Sequence, residues 1–321
     1  MRDNPAMHTV IPHAAPAGPQ CQAAIAQLNL PNLGELISLL DPTPPLLGSV
    51  ESLTPLHERV RAKSLGLQGA DGLIPWAALD AEHLGLTKAH GTTGWAWITP
   101  CHWQINADHV AMDHPDALAL GAHASDALRA TMQPYFVEDG ISLHALSNST
   151  WLAQGAVFAD LPTASLARAC GTQVDNWMPR QPEAQGLRRL QNEMQMLLYT
   201  HPVNDARSAQ GQPTVNSFWI SGTGRLPAHA PLAPEERMDM VLALEAAALR
   251  DDAYQWLKAW HTLDSTVIAT LLQRAKAGQP LQLTLCGERL APTFELKNTA
   301  WWNRLQRRFT APPPQELLRT L

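Results

Sequence analysis

The densest set of side chains able to do chemistry is "HVAMDHPDALALGAH", which offers His109, Asp113, His114, Asp116 and His123. On a helix, His109 and Asp113 would share a face and could present two ligands to a metal ion. A catalytic metal needs a third protein ligand and an open position, and His102, His90 or Asp108 could supply the ligand. Val110 and Met112 favour an extended backbone instead, on which His109, Ala111 and Asp113 still share a face. Pro115 follows directly, so Asp113 or His114 is a natural helix cap, with Asp116 complementing the helix N-terminus. The stretch therefore reads as a cap and loop, as a site for a polar ligand, or as a metal centre.

A second candidate is "PTVNSFWISGTG", Pro213 to Gly224, which holds Asn216, Ser221 and Thr223. It follows a polar-headed segment that includes Arg188. A strand ending in Ser221-Gly222-Thr223-Gly224 would put these groups at a strand's carboxyl end, where open α/β sheets hold ligands. The glycines would let a ligand or another backbone come close. The plainer reading is a core strand that exits into a turn. Familiar catalytic signatures are absent: there is no GxSxG, Walker loop, GxGxxG before a helix or HExxH. "KAHGTTGWAW" has its Lys before the glycines and a strand after them, which fits a turn better than a phosphate cradle. The acid pairs Glu235/Glu236 and Asp251/Asp252 suit solvated helix ends.

Composition narrows the function classes. The 321 residues are 45% apolar and only 16% charged, with a net charge of −6. That balance argues against a nucleic-acid partner held by a general basic face, since phosphate neutralisation needs clustered Lys and Arg. The best local basic patch is Arg304 to Phe309, which also reads as a solvated helix face. The four cysteines are widely spaced, without zinc spacing. No apolar run approaches the roughly 18 residues of a spanning helix, and the opening "MRDNPAMHTVIPHAAPAG" makes a poor signal peptide. A cytoplasmic protein with reduced thiols and no membrane partner is the expectation. The 11 tryptophans suit either core bulk or an aromatic binding platform.

The elements that would position these groups alternate between helix and strand, which predicts an α/β fold. "HTVIPHA" reads as a buried strand. "LPNLGELISLLDP" reads as a helix capped by Asn32, with Leu33, Leu36, Ile37 and Leu40 inward. "TPLHERVRAKSLGL" is a helix on Leu56, Val60 and Leu65, and "GWAWITPCHW" is a strand. "GISLHALSNSTWLAQG" predicts a hairpin. The strongest helix spans Glu183 to Thr200, with Leu187, Leu190, Met194, Leu197 and Leu198 on one side. "VNSFWIS" is a strand, and "PEERMDMVLALEAAALRDDAYQWLKAWH" contains one or two helices. "QPLQLTLCGERLAPTFEL" is a strand pair, and "TAWWNRLQRRF" is a last helix. No linker forces a split, so one domain over 1–321 is expected, its 225–321 part being the less distinctive.

The stretches "HTVIPHAAP", "LPNLGELISLL", "GWAWITPCHWQINADHVAMDHP" and "LRRLQNEMQMLLYTHPVNDAR" with "PTVNSFWISGTG" together resemble the RpfE-type proteins, a bacterial family named for regulation of pathogenicity factors. "PNLGELISLL" and "VNSFWISGTG" are also similar to parts of the cofactor-independent phosphoglycerate mutases of the alkaline-phosphatase superfamily. That resemblance implies a three-layer α/β/α sandwich. It also implies two metal ions, a first strand ending in Asp, and a His-x-x-x-Asp-x-x-x-His motif after the glycines. Here the first strand ends in Ile11-Pro12-His13, only His229 and His261 follow Gly224, and His109-x-x-x-Asp113 continues to Ala117. Two-metal phosphoryl transfer needs the full ligand set. The expectation is therefore a regulatory or protein-interaction protein on a degenerate mutase-like scaffold, with no cofactor and with a divalent metal disfavoured. Its partner would be another protein or a small polar ligand. The competing expectation is a phosphate-handling enzyme with a rearranged site. Candidate ligand-binding residues are His102, His109, Asp113, His114, Arg188, Asn216, Ser221 and Thr223.

Overall fold

A computed structural model of the chain describes residues 7–86, 93–106, 109–226, 238–296 and 312–321. Several expectations fall outside those residues: most of "KAHGTTGWAW" before its strand, His90, Asp108, His229, Glu235, Glu236 and the last helix with its Arg304–Phe309 patch. The chain is α/β, and it groups into two compact units. One is drawn from Met1–Glu51, Pro55–Leu65 and Leu232–Leu321, the other from Ser52–Thr54 and Gly66–Pro231.

The first unit is built on a five-stranded sheet in the order Met238–Met240, Met7–Ala15, Leu281–Gly287, Thr293–Glu295 and Asp41–Pro42. The first three strands run parallel, and each of the last two is antiparallel to the strand before it. The first strand is buried from Thr9 to Ala15. It bulges between Ile11 and Ala15, where Trp256 and Trp260 indoles donate to the carbonyls of His13 and Ala14. Leu33, Leu36 and Ile37 of the Pro31–Leu39 helix enter the core as their spacing predicts.

Asn32, however, is not the cap of that helix. Pro31 already supplies a helical φ and needs no N–H, so the helix begins there and Asn32 falls inside its first turn. The cap is a distant residue. The buried Asp264 carboxylate accepts from the Leu33 N–H at 2.8 Å and from the Asn32 N–H at 3.2 Å. Asp264 opens a π-helical turn, Asp264–Ile268, between the helices Ala253–Leu263 and Ala269–Lys276. The expected helices around 234–261 are Glu245–Leu249 and Ala253–Leu263, but Met238–Met240 is a strand. Its pairing with His8 to Val10 outweighs its local preference.

The second unit holds a four-stranded sheet ordered Ser142–Ala145, Trp151–Gly155, Gly94–Cys101 and Ser217–Gly224, antiparallel throughout. The predicted hairpin forms, with the Ser147 N–H closing on the Thr150 carbonyl at 2.8 Å. One sheet face, through Ala96, Ile98, Phe218 and Ile220, packs on the helices Ala122–Glu138 and Gln185–Tyr199. The second of these sends in Leu187, Leu190, Met194 and Leu198, as its periodicity requires. The other face, through Trp95 and Leu152, packs on Trp76–His83. That helix buries Trp76, Ala77, Ala78, Leu79 and Ala81, so it shows no apolar stripe for sequence reading to find.

The Ser-Gly-Thr-Gly run is part of the last strand and not a turn beyond it. Trp95 pairs with Gly224 and Trp97 with Ser221, so Ala96 faces two residues, Gly222 and Thr223, across a bulge. Gly222 has φ +63°, and a Cβ there would lie 2.7 Å from the Trp97 ring. The close approach that the glycines permit is that of a tryptophan in the same sheet. Because this sheet is antiparallel, the carboxyl-end rule for ligands in parallel sheets does not apply to it.

Candidate functional site

The hairpin of Trp103–Ile105 and Val110–Met112 follows directly on the central strand Gly94–Cys101. Its outer edge is tied to the sheet by one side chain. The Asn216 carboxamide accepts from the Trp103 N–H at 2.7 Å and donates to the Trp103 carbonyl at 2.9 Å, as a neighbouring peptide group would. Beside it, His102 Nδ1 bonds the Thr214 carbonyl at 2.7 Å.

Facing the hairpin are the end of the Gln185–Tyr199 helix and the short Pro202–Ala209 helix. The junction is fixed from inside. Asn204, 4% exposed, donates to the carbonyls of Leu198 and Val215 and accepts from the Val215 N–H. His201 caps the second helix, its Nδ1 accepting from the Val203 N–H while Nε2 bonds the Thr131 hydroxyl at 3.0 Å. Burial lowers the His201 pKa, with Asp205 opposing the shift, so the ring is held in the neutral form that can accept.

Between these elements lies a cleft of ≈ 620 Å³, within the range of ligand sites. Trp103, Ile105, Val110 and Tyr199 give it apolar surface, and Asn192, Gln195, Ser208, Thr214 and Asn216 give it amides and hydroxyls. Among the described residues that line it, Asp205 is the one charged side chain. Two of its apolar lining residues are largely solvated: Ile105 is 86% exposed and Tyr199 84%. Solvated apolar side chains grouped at a cleft mark an interaction site more often than scattered ones do.

The eight residues singled out by sequence are not gathered into one site, although the Asp113 N–H bonds the His102 carbonyl in the hairpin that Asn216 ties down. Asn216 lines the cleft, and His102 stands behind it through Thr214. Asp113 accepts from Gln104 Nε2 at 2.6 Å, and His109 Nε2 lies 3.2 Å from Asn106 Nδ2. His114 caps the short turn Pro115–Leu118 by accepting from the Asp116 N–H at 3.3 Å, as the Pro115 pattern suggested. Arg188 donates to the Pro179 carbonyl at 2.8 Å. Ser221 is buried in the strand, and Thr223 is 0% exposed. The Thr223 hydroxyl meets the Leu161 carbonyl at 2.7 Å, the Gly72 carbonyl at 3.1 Å and the Thr163 hydroxyl at 2.9 Å, clamping two loops to the sheet. Among the described residues, no three His, Cys, Asp or Glu side chains gather as a metal ion would need.

Gln195, Tyr199, Asp205 and Ser208 were missed. A sequence signal for part of the set exists. Tyr199 is a large residue lying off the stripe of Leu187, Leu190, Met194 and Leu198.

No protein-family model matches this chain, and no curated protein does. Among solved structures it is similar to a cofactor-independent phosphoglycerate mutase from Thermoplasma acidophilum, at 14% identity and a TM-score of 0.35, over 92% of this chain and 90% of that one. It is also similar to the PH0037 protein from Pyrococcus horikoshii, at 12% identity and a TM-score of 0.45, over 99% and 98% of the two chains. Among the described residues, no helix is long and apolar enough to cross a membrane.

Proposed function

We propose that the chain is a cytoplasmic protein-interaction protein of regulatory role, on an RpfE-type, mutase-like three-layer scaffold that has lost metal-dependent catalysis. The observation that carries the reading is the chemistry of the cleft in the second unit. Its walls are amides, hydroxyls and apolar faces, with Ile105 and Tyr199 largely solvated, and its one charged lining residue among those described is the Asp205 carboxylate. Partner recognition uses such surfaces, with solvated aromatic and aliphatic side chains buried on contact. A phosphorylated substrate would call for Lys or Arg at the walls. The scaffold and location parts of the reading rest on the sequence resemblance and on cysteine usage.

The test is site-specific crosslinking in cells of the source organism. A photoreactive residue replaces Met196, exposed on the helix whose Gln195 and Tyr199 line the cleft, or Val137, which is exposed on another helix of the unit. Position 196 is expected to give a discrete protein adduct that position 137 does not. Equal adducts from both, or turnover of 3-phosphoglycerate by the purified chain with divalent metal, would overturn the reading.

A further inference from the structure

The edge of the cleft hairpin carries a more specific inference, which rests on the binding role just proposed. In an antiparallel pair, alternate residues turn both backbone groups toward the partner strand or both away from it. The Asp113 N–H bonds the His102 carbonyl and the Asn106 N–H bonds the His109 carbonyl. Residues 102, 104 and 106 therefore face inward across the hairpin, whose register pairs Trp103 with Met112 and Ile105 with Val110. Trp103 and Ile105 turn their N–H and C=O groups to the outer edge. Two contacts agree with this phase. Trp103 meets the Asn216 carboxamide on the outer edge, and across the hairpin the Met112 carbonyl accepts from Gly171 on the far side.

At Trp103 the edge is thus closed by a side chain standing in for a peptide. Two residues on, at Ile105, the N–H and C=O make no hydrogen bond to another described residue, and the side chain is 86% exposed. Both residues line the cleft, as does Asn216.

We infer that this edge takes up an extended peptide segment of a partner protein, which adds a strand beside Ile105 and carries a lysine or arginine flanked by apolar residues. Strand addition supplies the backbone bonds at Ile105. Alternate side chains of the peptide then point into the cleft, since successive residues of a strand face opposite ways. There the apolar ones meet Trp103, Ile105 and Tyr199, and the cation meets Asp205, the single charged lining residue among those described.

The probe is a random library of acetylated and amidated heptapeptides, selected on the full chain and measured by titration calorimetry. The enriched peptides are expected to carry Lys or Arg between apolar residues, and N-methylation of one backbone nitrogen among the apolar residues is expected to abolish binding. Ile105→Pro removes the outward N–H without touching the hairpin's own ladder, because proline is tolerated at an edge position of this phase. It is expected to weaken binding about three- to tenfold, the worth of one net hydrogen bond. Ile105→Val, which keeps the N–H, should stay within about twofold. Should Ile105→Pro melt below the wild type, the N-methylated peptides on the unaltered chain carry the test. Failure to enrich any peptide, enrichment of acidic ones, or equal affinity of plain and N-methylated peptides overturns strand addition. If the Met196-position adduct persists beside any of these results, the binding reading stands and only the strand-pairing inference falls.

Discussion

Thr223→Val separates a structural strand from a working site. The substitution keeps shape and volume and removes one buried hydroxyl. That hydroxyl meets the Leu161 carbonyl at 2.7 Å, the Gly72 carbonyl at 3.1 Å and the Thr163 hydroxyl at 2.9 Å, at 0% exposure. Stranding a buried polar partner costs about 1–3 kcal/mol, and one donor serves both carbonyls here, so the expected loss is about 2 kcal/mol. For a unit of this size that corresponds to roughly 4–8 °C in melting temperature. Urea and thermal unfolding followed by tryptophan fluorescence would read it, with Thr223→Ser as the variant that restores the hydroxyl and most of the stability. Crosslinking from position 196 should be unchanged. A Thr223→Val chain within about 0.5 kcal/mol of the wild type would refute the clamp, because that is the range of inert surface changes. A chain of normal stability that had lost its adduct would make Thr223 part of the site after all.

Three further outcomes are expected. Asp264→Ala should destabilise the first unit by about 2–3 kcal/mol, since it uncaps the helix begun at Pro31, and Asp264→Asn should recover part of this; urea midpoints decide it. Burial lowers the pKa of His201 in the fold, so between the unfolded value of about 6.5 and the lower folded value the unfolded chain holds the extra proton, and stability falls as pH falls. His201→Asn keeps a capping acceptor and should reduce that slope by up to about 1.4 kcal/mol per pH unit, measured by urea unfolding from pH 7 to 5; an unchanged slope would refute it. All four cysteines are buried and free, and burial pushes the Cys21 thiol up to about 12 and raises Cys101 and Cys286, so Ellman's reagent at neutral pH should label them only after unfolding.

What the sequence displayed was whatever repeats with the period of its element. The stripe from Leu187 to Leu198 and the alternation through Ile141 and Leu143 both read correctly, because one side of each element is buried and the other is not. Trp76–His83 escaped because burial on several sides erases that contrast. Met238–Met240 escaped because three residues become a strand only through their neighbour. The direction of the strands was equally silent, and it decided the meaning of the glycine run. For the site the obstacle was of another kind. A polar residue type says nothing of whether its bonds are already spent within the protein. Thr223 and Arg188 spend theirs on backbone carbonyls. The cleft's own signal was apolar and out of phase, at Tyr199.

Asn216 shows how the same fold element both guards and offers an edge. Exposed strand edges invite pairing with other chains, and proteins blunt them with side chains, charges or bulges. Here the carboxamide fills the pairing position at Trp103 with the geometry of a peptide, so no second strand can start there. The protection stops one pairing position short. Ile105 keeps its backbone groups turned outward and a largely solvated aliphatic side chain above them. A guarded edge would place Lys, Glu or Pro at that position. On the proposed strand addition, the isoleucine leaves a strand that begins in register beside a fixed amide and ends over a cleft with one carboxylate among its described lining residues, a template for a specific segment and a poor one for indiscriminate aggregation.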